Sequence, residues 1–166
     1  MYRFKLATAI LAALFFASLP GHAQDKDVAT IADEDGCKVY NPMPQPEESI
    51  RWNGECRDGF AHGTGILDWY LGDELQERYE GELNMGWAEG EGTYVSRQGS
   101  RYRGEWKHSM QHGKGTIQNA DGSMYQGEWK EGKPNGYGVY RTPSGETIEG
   151  EWVDGELKAE SGSRRI

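Results

Sequence analysis

Between residues 50 and 157 apolar and polar positions alternate singly, as in strands that turn one face to a packed layer and the other to water. In the stretch RYRGEWK, Tyr102, Gly104 and Trp106 fall on one face, while Arg103, Glu105 and Lys107 fall on the other. After a short turn, GKGTI continues as a second strand, and NADGS supplies the Asp and Gly that reverse the chain again. Each unit is therefore expected to be a β-hairpin. The start of the chain differs: residues 6–19 form an unbroken apolar run of 14 residues after Arg3 and Lys5, closed by Pro20 and the small residues Gly21 and Ala23. That run falls short of the roughly 20 residues that cross a bilayer, and its flanks are those of a cleaved secretory signal. Residues 1–23 are thus expected to be removed and the remainder exported, to a Gram-negative periplasm or to full secretion.

The alternation is also periodic. Gly54, Gly81, Gly104, Gly127 and Gly150 recur at intervals of 27, 23, 23 and 23 residues, each followed by a glutamate: Glu55, Glu82, Glu105, Glu128 and Glu151. Nine and eleven residues on come Gly63 and Gly65, Gly90 and Gly92, Gly113 and Gly115, and Gly136 and Gly138; eighteen on come Gly72, Gly99, Gly122 and Gly145. A turn position holds Gly59, Gly86, Gly132 and Gly155, with Ser109 as the one departure. Two residues before the recurring Gly-Glu stand Trp52, Tyr79, Tyr102, Tyr125 and Ile148; two residues after the glycine stand Cys56, Leu83, Trp106, Trp129 and Trp152. The first interval is longer by four residues, which predicts a longer loop around residues 73–77.

RYRGEWKHSMQHGKGTIQNADG and MYQGEWKEGKPNGYGVYRTPSG resemble the MORN repeat, whose pattern is approximately YxGEWxxGxxHGxGxxxxxxG. Cys56 and Leu83 stand where the family pattern has Trp, and IEGEWVDGEL is half a unit. The resemblance implies an all-β fold: an elongated, twisted antiparallel sheet of successive hairpins over residues 50–157, four repeats and a C-terminal half repeat. It also implies a scaffolding or docking role without catalysis. Glycines at positions such as Gly104 and Gly115 leave room for Tyr and Trp rings to lie on bare backbone. An acidic, Pro-rich arm at 24–49 and a polar tail at 158–166 complete the organisation; residues 24–36 read as a mobile lead-in and residues 41–46 as an extended run.

Composition changes this picture in two respects. Leu, Ile, Val and Phe number only 17 among residues 24–166, so no thick core is available and a doubly wound α/β enzyme is excluded. The whole chain carries a net charge of −9, and removal of Arg3 and Lys5 takes it to −11, which argues against a nucleic-acid partner. Cys37 and Cys56 are the only cysteines; in an exported chain they are expected to pair and clamp the arm to the first repeat. A redox pair or metal site is the alternative, but CxxC spacing and nearby ligands are lacking. Charge is uneven along the chain: residues 68–91 sum to −7 and residues 97–114 to +4, which predicts a dipolar molecule.

Candidate chemistry is sparse. Adjacent repeat glutamates should lie roughly 10 Å apart, two strand spacings, beyond the carboxylate separations glycosidases use; a structural role is expected for them. His62 and His112 share a repeat phase that Glu89 and Asn135 occupy elsewhere, which does not support zinc, and no cofactor is expected. The row Tyr102, Trp106, Tyr125, Trp129 and Trp152 is either packing or, if rings stay open in a groove, a binding surface for a protein partner or a glycan. The basic patch Arg97, Arg101, Arg103, Lys107 and Lys114 alone could meet an anionic membrane surface, which the acidic balance disfavours. The expected role is an exported, non-enzymatic scaffold that docks a protein or pairs with itself through an open edge strand.

Overall fold

The computed structural model describes residues 29–164, with side chains through residue 158. The expected signal at 1–23 lies outside the described residues. Thirteen strands form one open, mostly antiparallel sheet, with no helix among the described residues. They are β1 (Thr30–Ala32), β2 (Lys38–Tyr40), β3 (Glu48–Trp52), β4 (Glu55–Arg57), β5 (Phe60–Leu71), β6 (Glu74–Asn84), β7 (Trp87–Ser96), β8 (Arg101–Lys107), β9 (Met110–Gln118), β10 (Met124–Lys130), β11 (Lys133–Arg141), β12 (Thr147–Val153) and β13 (Glu156–Arg164). From β5 to β13 each strand pairs with the next; β3 and β4 both pair with β5, and β2 meets β5 in parallel at Lys38 and Phe60.

Two-residue turns join the hairpins within each repeat, and both residues sit at positive φ, as at Glu131 (49°) and Gly132 (78°). This is the turn twist that matches the twist of paired strands. Ser109 adopts φ 60° without being glycine, and its Oγ accepts the Ala88 N–H at 3.0 Å. Every such turn also ties back to the repeat before it: the amides of Gly86, Ser109, Gly132 and Gly155 donate to the carbonyls of Ala61, Ala88, Gln111 and Pro134 at 2.8–3.0 Å.

The alternation read from the sequence is the packing of the sheet. Gly104 lies opposite Gly92 on one side and Gly115 on the other, and the buried ring of Tyr102 lies across this bare backbone. A Cβ at Gly104 would come within 2.8 Å of the Tyr102 hydroxyl and 2.5 Å of the Gly115 Cα, so any side chain there displaces the ring or separates the strands. The hydroxyl of Tyr102 donates to the Glu105 carbonyl at 3.0 Å; Tyr79 and Tyr125 repeat this bond to Glu82 and Glu128 at 3.0 and 3.1 Å. Burial pushes these phenols well above their ordinary range, with the neighbouring carboxylates adding to the effect.

The arm departs from expectation. Residues 30–32 form β1 on β2, Val39 is 1% exposed within the core, and Tyr40 stacks on Trp87 at 4.1 Å. These apolar anchors outweigh the acidic composition of the lead-in. Residues 41–46 bend instead of extending: Asn41 Oδ1 accepts the Met43 N–H at 3.0 Å, and Gln45 O accepts the Glu48 N–H at 3.3 Å. The Cys37–Cys56 disulfide is formed and ties the arm to the first repeat.

The four extra residues lengthen strands, not a loop. β5 and β6 reach 12 and 11 residues and are joined by only two, because the arm supplies β3 as a further partner for the extended end of β5. A bulge at Trp69/Tyr70 absorbs the mismatch.

Candidate functional site

In the later repeats the inner face is filled by its own rings. The rings of Tyr79, Trp106, Tyr102, Trp129, Tyr125 and Trp152 meet edge-to-face in series, with centroids 5.0–5.3 Å apart. Each such pair adds about 0.5–1.5 kcal/mol beyond area burial. Tyr102, Trp106, Tyr125, Trp129 and Trp152 are 0–6% exposed. The ladder is therefore a core, and its rings do not line an open groove. Trp129 and Trp152 also donate their indole N–H to Gly115 O and Gly138 O at 3.1 and 3.3 Å, in each case fourteen residues back.

The repeat glutamates are structural as well. Glu105 Oε1 accepts the Lys114 N–H at 2.8 Å beside Gly113, whose φ of 54° belongs to the bulge in β9. The His62 phase fastens turns: His62 Nδ1 accepts the Met85 N–H at 3.4 Å, Glu89 accepts the His108 N–H at 3.0 Å, and Asn135 donates to Asp154 at 3.5 Å. Among the described residues no three His, Cys, Asp or Glu side chains are placed to hold a metal.

The acidic and basic stretches lie on neighbouring strands, not at opposite ends. Arg97 bridges the two by pairing with Glu74 at 2.5 Å. Arg101, Arg103, Lys107 and Lys114 are exposed on β8 and β9; Arg103 lies between Thr93 and Thr116, and Lys114 is opposite Glu128. The patch is thus interleaved with neutral and acidic neighbours on the outer face.

The N-terminal unit is built differently. Where the later repeats place Trp106, Trp129 and Trp152, repeat two has Leu83, and the shorter side chain leaves a partly enclosed cavity of about 60 Å³. Its walls include Trp69, Tyr79, Tyr94 and Trp106, and the arm residues Val39, Tyr40 and Asn41 cover one side. Trp106 breaks the indole rule of its successors. By repeat phase its N–H would donate to Gly92 O; it is buried without a partner among the described residues.

Glu77, carried here by the lengthened β6, is the one charged residue lining the cavity. It is half-buried, with the Tyr94 phenol close by. Burial pushes its carboxyl above the usual range and the nearby Glu48 carboxylate adds to this, against the lowering effect of Tyr94. Glu48 is itself well satisfied: Asn41 Nδ2 donates to it at 2.7 Å, the Gln45 amide at 2.9 Å, and the Trp69 indole N–H as well. Leu75, 41% exposed, pairs with Tyr70 beyond the bulge, in the register of the opposite face; Met43, 59% exposed, lies two residues from Asn41 in the cavity wall. Sequence reasoning missed Glu77, Trp69 and Glu48. The signals are the long first interval, which lengthens β5 and β6, and Leu83 at a Trp position.

Four successive segments, residues 53–73, 79–101, 102–124 and 125–147, match the MORN repeat, and the last three start 23 residues apart, the step of the later glycine registers. No curated protein matches the chain. MORN repeats generally mediate protein or membrane binding and are typically non-enzymatic. With more than half its length matched, and with glycines, rings and glutamates in the register of the repeat throughout, the chain belongs to the MORN-repeat family.

Proposed function

We propose that this protein is an exported, non-enzymatic scaffold that docks a protein partner at the N-terminal end of its inner face. The observation that carries the reading is the contrast in filling: the ladder of later repeats leaves none of its rings accessible, whereas the unit around Leu83 keeps a cavity, and exposed Met43 stands two residues from Asn41 in its wall. The Cys37–Cys56 disulfide supports export, since such bonds persist in oxidising compartments. A photo-crosslinking residue at Met43 is expected to give one defined adduct in the native envelope, and the same residue at Val153, on the outer face of β12, none. Equal yields at both positions, or none at Met43, would remove the proposal.

Self-association is a second mode. Among the described residues β13 pairs only with β12, so its nine-residue outer edge is open to another strand. A concentration-dependent mass in light scattering that disappears when proline replaces Lys158 supports it; a constant monomer mass rejects it.

A further inference from the structure

Three features of the cavity coincide. Glu77 is a half-buried carboxylate with no ion-pair partner among the described residues. Five aromatic rings, Tyr40, Trp69, Tyr79, Tyr94 and Trp106, wall the space around it. The Trp106 indole N–H, in a side chain 3% exposed, has no acceptor among the described residues. Uncompensated polar groups in such a place are rare unless something else completes them. A carboxylate among aromatic faces attracts one chemistry above others, a cation with an apolar body, because ring quadrupoles and the carboxylate both favour positive charge while the walls favour methyl and methylene groups. The surroundings agree in sign, since residues 68–91 sum to −7. The size agrees too: a single water needs about 10–15 Å³ of such space, so about 60 Å³ admits the head of an alkylammonium group and little more.

We infer that the cavity binds an alkylammonium group, with Glu77 as its counter-ion and Trp69, Tyr79, Tyr94 and Trp106 as its walls. In the docked complex this group is a lysine side chain of the partner; a small free amine presents the same chemistry. The inference rests on the docking reading only for the identity of the carrier. Trp106 contributes a donor for an acceptor carried by the ligand or its remaining water.

The test is calorimetric titration of the mature, disulfide-bonded chain with three probes: N-acetyllysine methylamide, choline, and 3,3-dimethylbutan-1-ol, the neutral carbon analogue of choline. Both cations are expected to bind and the neutral analogue not. Glu77→Gln, which keeps shape and removes charge, should weaken both cations about tenfold or more with its thermal unfolding transition retained. Trp129→Phe, in the filled part of the ladder, should leave binding unchanged. Tighter binding of the lysine probe assigns the site to a protein side chain, and tighter binding of choline assigns it to a small quaternary amine. Binding of the neutral analogue as strong as that of choline, or unaltered cation binding in Glu77→Gln, overturns the inference. A crosslink at Met43 without cation binding removes the ammonium assignment and leaves docking intact; cation binding without the crosslink does the reverse.

Discussion

The two ends of this sheet share a repeat grammar and use it differently. From β8 to β12 every Gly-Glu pair is followed by a Trp, the hydroxyls of Tyr102 and Tyr125 and the indoles of Trp129 and Trp152 each donate to a carbonyl, Trp106 being the exception, and the inner face closes on itself. From β3 to β7 the Trp is replaced by Cys56 and Leu83, the strands overrun the repeat length, and an arm from outside the array completes the face. The same glycine registers thus yield a filled face at one end and a hollow at the other. The difference lies in the side chain at the Trp position together with the longer strands and the added partners of β5.

Breaking the filled end should have the largest effect. Trp129→Ala removes a 6%-exposed ring held by Tyr102, Tyr125 and a carbonyl, and is expected to cost about 3–5 kcal/mol in urea unfolding. Breaking the arm comes next: Cys56→Ser opens a loop with sequence separation 19 and should cost about 3 kcal/mol on chain-entropy grounds. It should also accelerate hydrogen exchange in β1 and β2 while leaving β9 to β12 protected; uniform acceleration would contradict the division into two ends. Converting the hollow end into the filled one is milder. Leu83→Trp projects an indole into the cavity, costs about 1–3 kcal/mol through overpacking, and should abolish choline binding, measured by the same unfolding and titration experiments.

The smallest effect concerns pH. Glu77 titrates above its ordinary value of 4.5 in the folded chain, facing Glu48 and Tyr94, so the folded state holds that proton more tightly than the unfolded one. The penalty for ionising it is absent below the unfolded value and appears as pH rises through the folded one. Glu77→Gln should therefore be more stable than the parent at neutral pH, with the gain vanishing below about pH 4.5, read from melting temperatures across pH.

Much of the fold was legible because it is local. Glycine spacing fixes where rings can lie on backbone, and alternation assigns Tyr102 and Trp106 to one face before any coordinates are seen. The strand assignment of residues 30–32 and the lengthening of β5 and β6 were not legible, since the first depends on pairing within the arm and the second on β3 pairing with β5, which no short-range pattern encodes. The cavity was hidden for the same reason. Leu83 in sequence is a weak match to a motif; only when Trp69, Tyr94 and the arm converge does its small size become a space. The aromatic ladder misled in the opposite direction, because regular spacing is common to packed and open rings and only burial separates them.

The contrast between ends is tested most directly by following the six indole N–H resonances of the nitrogen-15-labelled protein during a choline titration. The signals of Trp106 and Trp69 should shift with a common saturation curve while those of Trp129 and Trp152 stay in place. Shifts of equal size at Trp129 and Trp152, or a stationary Trp106, would contradict the account.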